Sequence, residues 1–434
     1  MRRPRSSAIT RAGDHGKASY SDSIGGRVLR SSLKIAQICP YDLDRPGGVQ
    51  THIRDTAAAL GELGHSITIL APKLAPGPAW STMAPNVRVL RLGRAHTMRL
   101  SGTRFEASLA WGYQHRRLRA AMRPGAFDVV HYHTLWSPLL PMQAFACSPA
   151  PRVITFHDTP PDTFGGALSK SVLSAMSRVL LARVEQAIAV SEAPRAHLRP
   201  RSGQIVQISP PCTDLRRFSD ESADVAVTGA KVTLLFVGRL EPRKGVMVLL
   251  RAYRRLSRDG LPVRLLIAGA GSEEPALRRY VLRHALPDVT FIGRFADAQA
   301  PGLYAACDIA CAPSPYGESF GIVVAEAMAA GKPVVAAANR GYSTLLAAHA
   351  DTLLAAPGDA EAMYRRLRAL VIDPALRRRL GDWARTEALR YDCRTVAPEL
   401  VELYRQAIRS PSPNRRAGLA RAQAQADAEV LTPA

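Results

Sequence analysis

The sequence predicts an α/β protein made of two doubly wound domains in series, each a mostly parallel sheet with helices on both faces. Three observations carry that prediction. Short, nearly continuous apolar runs alternate with helical patterns along most of the 434 residues, and strands buried on both faces read that way. The alternation stops once, in "SPPCTDLRRFSDESADVAVTGA" (209–230), a stretch rich in Pro, Ser and Asp, and then restarts. The length exceeds one ordinary core and suits two.

In the first half, strands are expected at 33–41 (LKIAQICPY), 66–72 (SITILAP), 87–92 (VRVLRL), 128–133 (DVVHYH), 152–158 (RVITFHD) and 187–191 (AIAVS). A helix is expected over Val49–Leu63, apolar at 49, 53, 57 and 60, with Gly64 closing it. In the second half, strands are expected at 232–238, 264–269, 289–293, 308–313, 333–338 and 351–357, and helical patterns from about 359 to 409 finish the chain. The expected division is a disordered basic leader (1–32), a first domain (33–210), a linker (211–230), a second domain (231–395), a helix crossing back to the first domain (396–410) and a disordered tail (411–434). Two such domains bind ligands at the carboxyl ends of their strands, here facing one another across a cleft.

Apolar residues make up 47% and charged residues 22%, the balance of a globular protein in water. No apolar run approaches the ~20 residues of a spanning helix, and the basic N-terminus lacks the apolar core of a secretory signal, so a cytoplasmic location is expected. The cysteines at 39, 147, 212, 307, 311 and 393 have no framework spacing. Cys307 and Cys311 lack a second pair nearby, so buried free thiols in a reducing compartment are expected and a zinc site is not. The net charge of +22 invites a nucleic-acid partner, but only 7 of the 58 basic residues are lysine. That is arginine bias, and no nucleic-acid motif accompanies it, so no such partner is expected.

Chemistry concentrates in four places. After the first strand, "DLDRPGGVQTHIRD" puts Gly47 and Gly48 at a strand-to-helix turn. There the backbone can approach a ligand, and the free N–H groups of a helix start favour an anion. Asp42 and Asp44 are spaced like a metal-binding pair, but short acidic pairs are common in loops, and no metal is expected. In "FVGRLEPRKGVMVLL", Arg239 and Lys244 follow a strand and suit a diphosphate, the bland alternative being two solvated cations. In "DIACAPSPYGESFGIVVAEAMAAG", Ser319, Phe320, Gly321 and Ile322 supply the orphan donors of a helix's first turn. Glu318 before that turn is an ordinary dipole partner, but Glu326, two turns inside an apolar helix, needs another reason.

These motifs together, over about residues 33 to 409, resemble the family 4 retaining glycosyltransferases of the GT-B fold. "PYGESFGIVVAEAMAAGKPVV" looks like that family's two-glutamate motif, "GRLEPRKG" like its diphosphate clamp, and "PGGVQTH" like its glycine loop. "TFHD" looks like the segment carrying the acceptor-side histidine, here His157, and "CPYDLDRPGGVQTHI" is similar to phosphatidylinositol mannosyltransferases. The resemblance implies a hexose, mannose- or glucose-type, moved from a GDP- or UDP-sugar to a lipid-linked or glycan acceptor without a cofactor.

By the resemblance, the first domain takes the acceptor and the second the nucleotide sugar. Glu318 meets the sugar hydroxyls and Glu326 the ribose. Arg239, Lys244 and the Ser319 to Ile322 N–H groups hold the diphosphate. Gly47 and Gly48 close on it, His157 sits near sugar and acceptor, and Asp44 and Gln50 lie on the acceptor side. Two departures stand out: "HDTPPDTFGG" lacks the cation that relatives acting on phosphatidylinositol carry after the histidine, and the linker's usual Pro-Asn-Gly-Val-Asp is "SPPCTDLRRF". The rival readings are a GT-B epimerase or phosphorylase-like enzyme, and a non-catalytic membrane-surface or nucleic-acid binder on that scaffold.

One segment points to a membrane. Arginines at 88, 91, 94, 99, 104, 116, 117, 119 and 123 stand against one acid, Glu106, with Leu109, Trp111, Tyr113, Leu118 and Met122 interleaved at near-helical spacing. Such a segment suits an anionic membrane surface, the alternative being a solvated helix face.

Overall fold

Alternating apolar runs become strands because a parallel sheet covered on both faces gives each strand two dry surfaces. In the computed structural model, which describes residues 32–45, 47–73, 80–100, 103–135, 139–159, 164–219 and 231–410, fifteen strands form two sheets. The first holds β1 (Lys34–Ile38), β2 (Ser66–Lys73), β3 (Trp80–Ala84), β4 (Val87–Leu100), β5 (Thr103–Leu109), β6 (Val129–His133), β7 (Arg152–Phe156), β8 (Gln186–Ala189) and β9 (Val206–Ile208). Its order is β3-β4-β2-β1-β6-β7-β8-β9, with β5 paired to β4. Every pairing is parallel except β3 with β4 and β4 with β5.

The second sheet holds β10 (Val232–Val237), β11 (Val263–Ala268), β12 (Val289–Gly293), β13 (Ile309–Ala312), β14 (Val334–Ala337) and β15 (Leu354–Ala355). All its pairings are parallel, in the order β12-β11-β10-β13-β14-β15. In both sheets the strand order reverses beside the first strand, between β1 and β6 and between β10 and β13. Loops diverge at those points and open a crevice at the carboxyl ends of the strands.

The helix Gly48–Glu62 covers the first sheet with Ile53, Ala57 and Leu60 buried. The last helix, Cys393–Arg409, leaves the second domain and packs on the first. Its Val396, Leu400, Val401 and Tyr404 share a core with Ile35, Ile53, Leu60 and Val153. That apolar stripe is what draws the helix back, burying a face that would otherwise meet water.

Four expectations are corrected. The near-helical spacing within 88–123 does not hold throughout: the expected strand at 87–92 extends as β4 (Val87–Leu100), β5 (Thr103–Leu109) pairs antiparallel with it, and the helix is only Tyr113–Ala121. β-branched and aromatic residues in Val87, Val89, Thr103 and Phe105 favour strands there. The expected strand 351–357 shrinks to β15, because Ala350–Leu353 is a helical turn. The strands β3, β5 and β9 were not expected. The cysteines are not all free, since Cys212 and Cys393 form a disulfide between the linker and the start of the last helix. No sequence spacing marks that pair, which lies 181 residues apart. Cys39, Cys147, Cys307 and Cys311 are not in a disulfide. The leader through residue 31, residues 220–230 of the linker, and the tail lie outside the described residues.

Candidate active site

At the switch point of the second sheet, β10 leads into the loop holding Arg239 to Lys244, and β13 leads into the loop that reaches Glu318. Their side chains meet. Lys244 Nζ donates to Glu318 Oε1 at 2.7 Å, and Arg243 Nη1 donates to the same oxygen at 3.2 Å. The Glu318 side chain is 10% exposed and that of Lys244 14%. Burial pulls the Lys244 ammonium below its ordinary value, and the carboxylate beside it opposes that. Gly245 makes the approach possible. At φ 68° it takes a left-handed conformation, and a Cβ there would lie 2.2 Å from the Pro313 carbonyl oxygen. Arg239 is not part of this contact: it pairs with Glu241 at 2.9 Å and is more exposed.

The loop carrying Glu318 is fixed from both sides. Asn339 Nδ2 donates to the Ser314 carbonyl at 2.8 Å, and the Tyr342 hydroxyl donates to Ser314 Oγ at 3.1 Å. Ser319 reaches the first domain: its hydroxyl lies 2.9 Å from Thr159 Oγ1, and its carbonyl accepts from the Ser191 hydroxyl. Phe320 is buried, its ring 5.4 Å from that of Tyr391. Gly321, at φ 107°, turns the chain into the helix Ile322–Ala329. The two domains therefore meet across the mouth of this helix.

Glu326 is buried in that helix among Val324, Ala325, Ala327 and Met328. The Tyr304 hydroxyl donates to its Oε2 at 3.0 Å, and Arg217 Nη2 lies 4.0 Å from its Oε1. Burial pushes this carboxyl up to about 7, against the pull of the tyrosine hydrogen bond and the Arg217 charge.

The first domain supplies the opposite wall. A Cβ on Gly48 would stand 3.4 Å from Ile322 Cδ1, so the glycine turn lies directly against the start of the second domain's helix. Gly47 lies under its own loop, where a Cβ would meet Gln50 Oε1 at 2.4 Å. His157, following β7, is buried, with Nε2 3.1 Å from His133 Nδ1 at the end of β6. His52 stacks edge-on to both rings, at 5.3 and 5.1 Å. His131 lies 2.7 Å from Thr155 Oγ1 and 2.8 Å from the Tyr404 hydroxyl.

Burial pushes His52 down to about 4 and His133 and His157 well below their usual range, so these rings are neutral near pH 7. The ligand atoms of His52, His133 and His157 lie within 4.8 Å of one another. Two nitrogens on one tetrahedral zinc sit about 3.4 Å apart. The His133–His157 contact has the length of a hydrogen bond, while His52 meets both rings only edge-on.

The two residues expected on the acceptor side, Asp44 and Gln50, have partners within the first domain. Asp44 pairs with Arg91 at 2.7 Å, and Gln50 is buried with Nε2 3.5 Å from the Asp42 carbonyl. Asp42 also faces Arg91, at 3.5 Å. Sequence reasoning passed over Arg243, His52, His133, Tyr304 and Arg217. His-Tyr-His in one strand, with a histidine after the next, was a legible signal for the histidine cluster. Nothing local marks Arg217 or Tyr304, which reach Glu326 from 109 and 22 positions away in sequence.

Models of two families match consecutive parts of the chain. Glycosyltransferase Family 4 covers residues 46–217, and Glycosyl transferases group 1 covers residues 218–387. A phosphatidyl-myo-inositol mannosyltransferase of Mycolicibacterium smegmatis is 32% identical over 382 residues, covering 86% of this chain and 93% of that one. The chain belongs to this glycosyltransferase family.

A D-inositol 3-phosphate glycosyltransferase of Saccharomonospora viridis is 28% identical over 83% of this chain and 90% of its own. The fold recurs in sucrose-phosphate synthase of Thermosynechococcus elongatus, with a TM-score of 0.70, 23% identity, and 86% and 98% of the two chains covered. It recurs in Anabaena HepE in complex with UDP-glucose, with a TM-score of 0.65, 20% identity, and 85% and 98% covered. The chain thus has the GT-B fold and is a glycosyltransferase.

Proposed function

We propose that this transferase is a retaining enzyme that passes its hexose from a GDP- or UDP-sugar to a hydroxyl of a lipid-linked acceptor. One observation carries the reading: a carboxylate facing the cleft shares one point with two cations, beside a helix start and opposite the glycine turn. In that arrangement Lys244, Arg243 and the Ser319 to Ile322 N–H groups stabilise the departing diphosphate, with Arg239 swinging in from Glu241. Preorganised charge of this kind is the expected main term in the rate. Glu318 orients the sugar hydroxyls, and Glu326 accepts from the ribose.

The bond from the anomeric carbon to the diphosphate oxygen breaks, and the acceptor oxygen bonds to that carbon on the same face. The acceptor proton passes to the departing diphosphate. Neutral His157, held by His133, orients sugar and acceptor. The relatives named for phosphatidyl-myo-inositol and D-inositol 3-phosphate support an inositol-bearing acceptor. Asp158 follows His157 where a cation was the family's expected feature, and residues 160–163 lie outside the described residues. A thermal-shift screen of GDP- and UDP-sugars tests the donor. The true donor at 100 times its dissociation constant stabilises by ~2.7 kcal/mol, and a flat response to all of them would sink the reading. Product analysis with donor alone separates transfer from epimerisation.

Among the described residues, no helix is long and apolar enough to cross a membrane. A surface location on the cytoplasmic leaflet is supported by the face around the helix Tyr113–Ala121. Trp111 is 79% and Tyr113 64% exposed, and Leu109, Leu139 and Met142 are exposed beside them. Leu118 and Met122, once expected to share that role, are buried in the domain core. Arg116 and Arg119 are exposed, and the Arg117 guanidinium lies 5.8 Å from the Tyr113 ring centre. Binding to vesicles should need anionic lipid, weaken with salt, and fall when Arg116, Arg117 and Arg119 become glutamine. Each cation near such a surface contributes ~1 kcal/mol. Co-sedimentation that is equal with neutral vesicles, or absent with both, would favour a soluble acceptor.

A further inference from the structure

We propose that Arg217, carried by the linker between the domains, keeps the Glu326 carboxylate ionised for the ribose and thereby ties donor binding to the hinge. This rests on the reading of Glu326 as the ribose acceptor.

Glu326 has few partners. Tyr304 holds Oε2 and Arg217 faces Oε1, while the other charged groups acting on it, Asp297 and Asp55, disfavour its ionisation. Arg217 is itself held firmly. Its two Nη atoms lie 2.7 and 3.5 Å from the carboxylate oxygens of Asp297, and its guanidinium stacks 4.8 Å from the Phe218 ring centre. Phe218 meets the Tyr304 ring edge-on at 5.6 Å. Arg217, Phe218 and Tyr304 therefore form one wall around Glu326.

That wall belongs to the hinge. Arg217 sits in the single turn Arg216–Phe218, just after Asp214, whose N–H donates to Asp55 Oδ2 at 3.0 Å on the first domain's helix. The next N–H, of Leu215, donates to Asp392 Oδ2 at 3.2 Å, where the last helix starts back toward the first domain. A change in the angle between domains pulls on this turn and moves the guanidinium relative to Glu326.

The chemistry asks for an anion. An ionised carboxylate can accept from both hydroxyls of a vicinal diol, whereas its neutral form keeps one oxygen as a donor. With Glu326 poised at about 7 by burial, ribose binding weakens as pH falls through that value. An opposite charge at this range lowers a carboxyl's pKa, so without Arg217 the weakening starts at higher pH.

The test is calorimetric binding of GDP and UDP from pH 6 to 9 by the full chain, R217Q and R217K, with pyrophosphate as the ligand that lacks a ribose. R217Q should bind the nucleotide ~5-fold more weakly at pH 7, with the midpoint of its profile raised by about one pH unit and affinity at pH 9 within about twofold of the parent. R217K should fall between, and pyrophosphate should bind all three alike. A profile unchanged in R217Q, or weakened equally at every pH, overturns the proposal. If R217Q does not fold, R217K decides: a midpoint raised above the parent's supports the proposal, and superimposed profiles refute it. A folded parent that binds pyrophosphate but neither nucleotide overturns the ribose reading as well, which separates the two failures.

Discussion

The variant E318Q should lose turnover by ~10²-fold or more while binding nucleoside diphosphate as tightly as before, or more tightly. The geometry gives both halves of that result. Glu318 is the anion that Lys244 and Arg243 hold, at 2.7 and 3.2 Å. A bound diphosphate competes with it for those cations, so removing its charge does not weaken the diphosphate and can release cations to it. What disappears is the carboxylate that orients the sugar while charge develops. Folding is spared, because glutamine keeps the shape and can still accept from Lys244. Steady-state rates with the donor found by thermal shift, beside calorimetry with GDP and UDP, read the two effects separately. Near-normal turnover in E318Q would reduce Glu318 to a structural partner of the two cations and remove the centre of the proposed site.

How much of this was legible in the sequence depends on how local each feature is. Both sheets were readable, because strands buried on two faces write their apolar runs directly into the chain. β5 was not, because Thr103–Leu109 mixes charge with β-branched and aromatic residues, and its pairing with β4 decides its state. Glu318, Arg239 and Lys244 could be named because they stand in short loops after strands, and Glu326 because a carboxylate interrupts an otherwise apolar helix. The direct Glu318–Lys244 contact could not, since it joins residues 74 apart across the switch point. The same limit hid the Cys212–Cys393 bond and the hold of Arg217 on Glu326. The ion pair of Asp44 was hidden for a related reason: its partner Arg91 comes from β4, far along the chain.

Arg91 also bears on the second large effect, in K244A. Removing the Lys244 ammonium should slow transfer by ~10²-fold or more, about 3 kcal/mol of lost charge stabilisation at the leaving group. Truncating one partner of a buried ion pair usually destabilises a fold strongly, by ~3–5 kcal/mol, because the other charge is left alone. Here Arg243 remains beside Glu318, so K244A should stay folded, and its defect should lie in the chemistry. R239A should act in the same direction only if Arg239 leaves Glu241 for the diphosphate, so the pair of variants reports whether that swing occurs. Both measurements belong in EDTA as well as in buffer. Asp42 and Asp44 are the acidic pair spaced for a metal, yet both face the Arg91 guanidinium, at 3.5 and 2.7 Å. A divalent ion there would have to displace a cation already in place. Transfer should therefore proceed unchanged in EDTA, with Lys244, Arg243 and the helix start carrying the charge that a metal carries elsewhere. Strict dependence on manganese or magnesium, together with a mild K244A, would move the leaving-group charge to those aspartates and overturn the clamp.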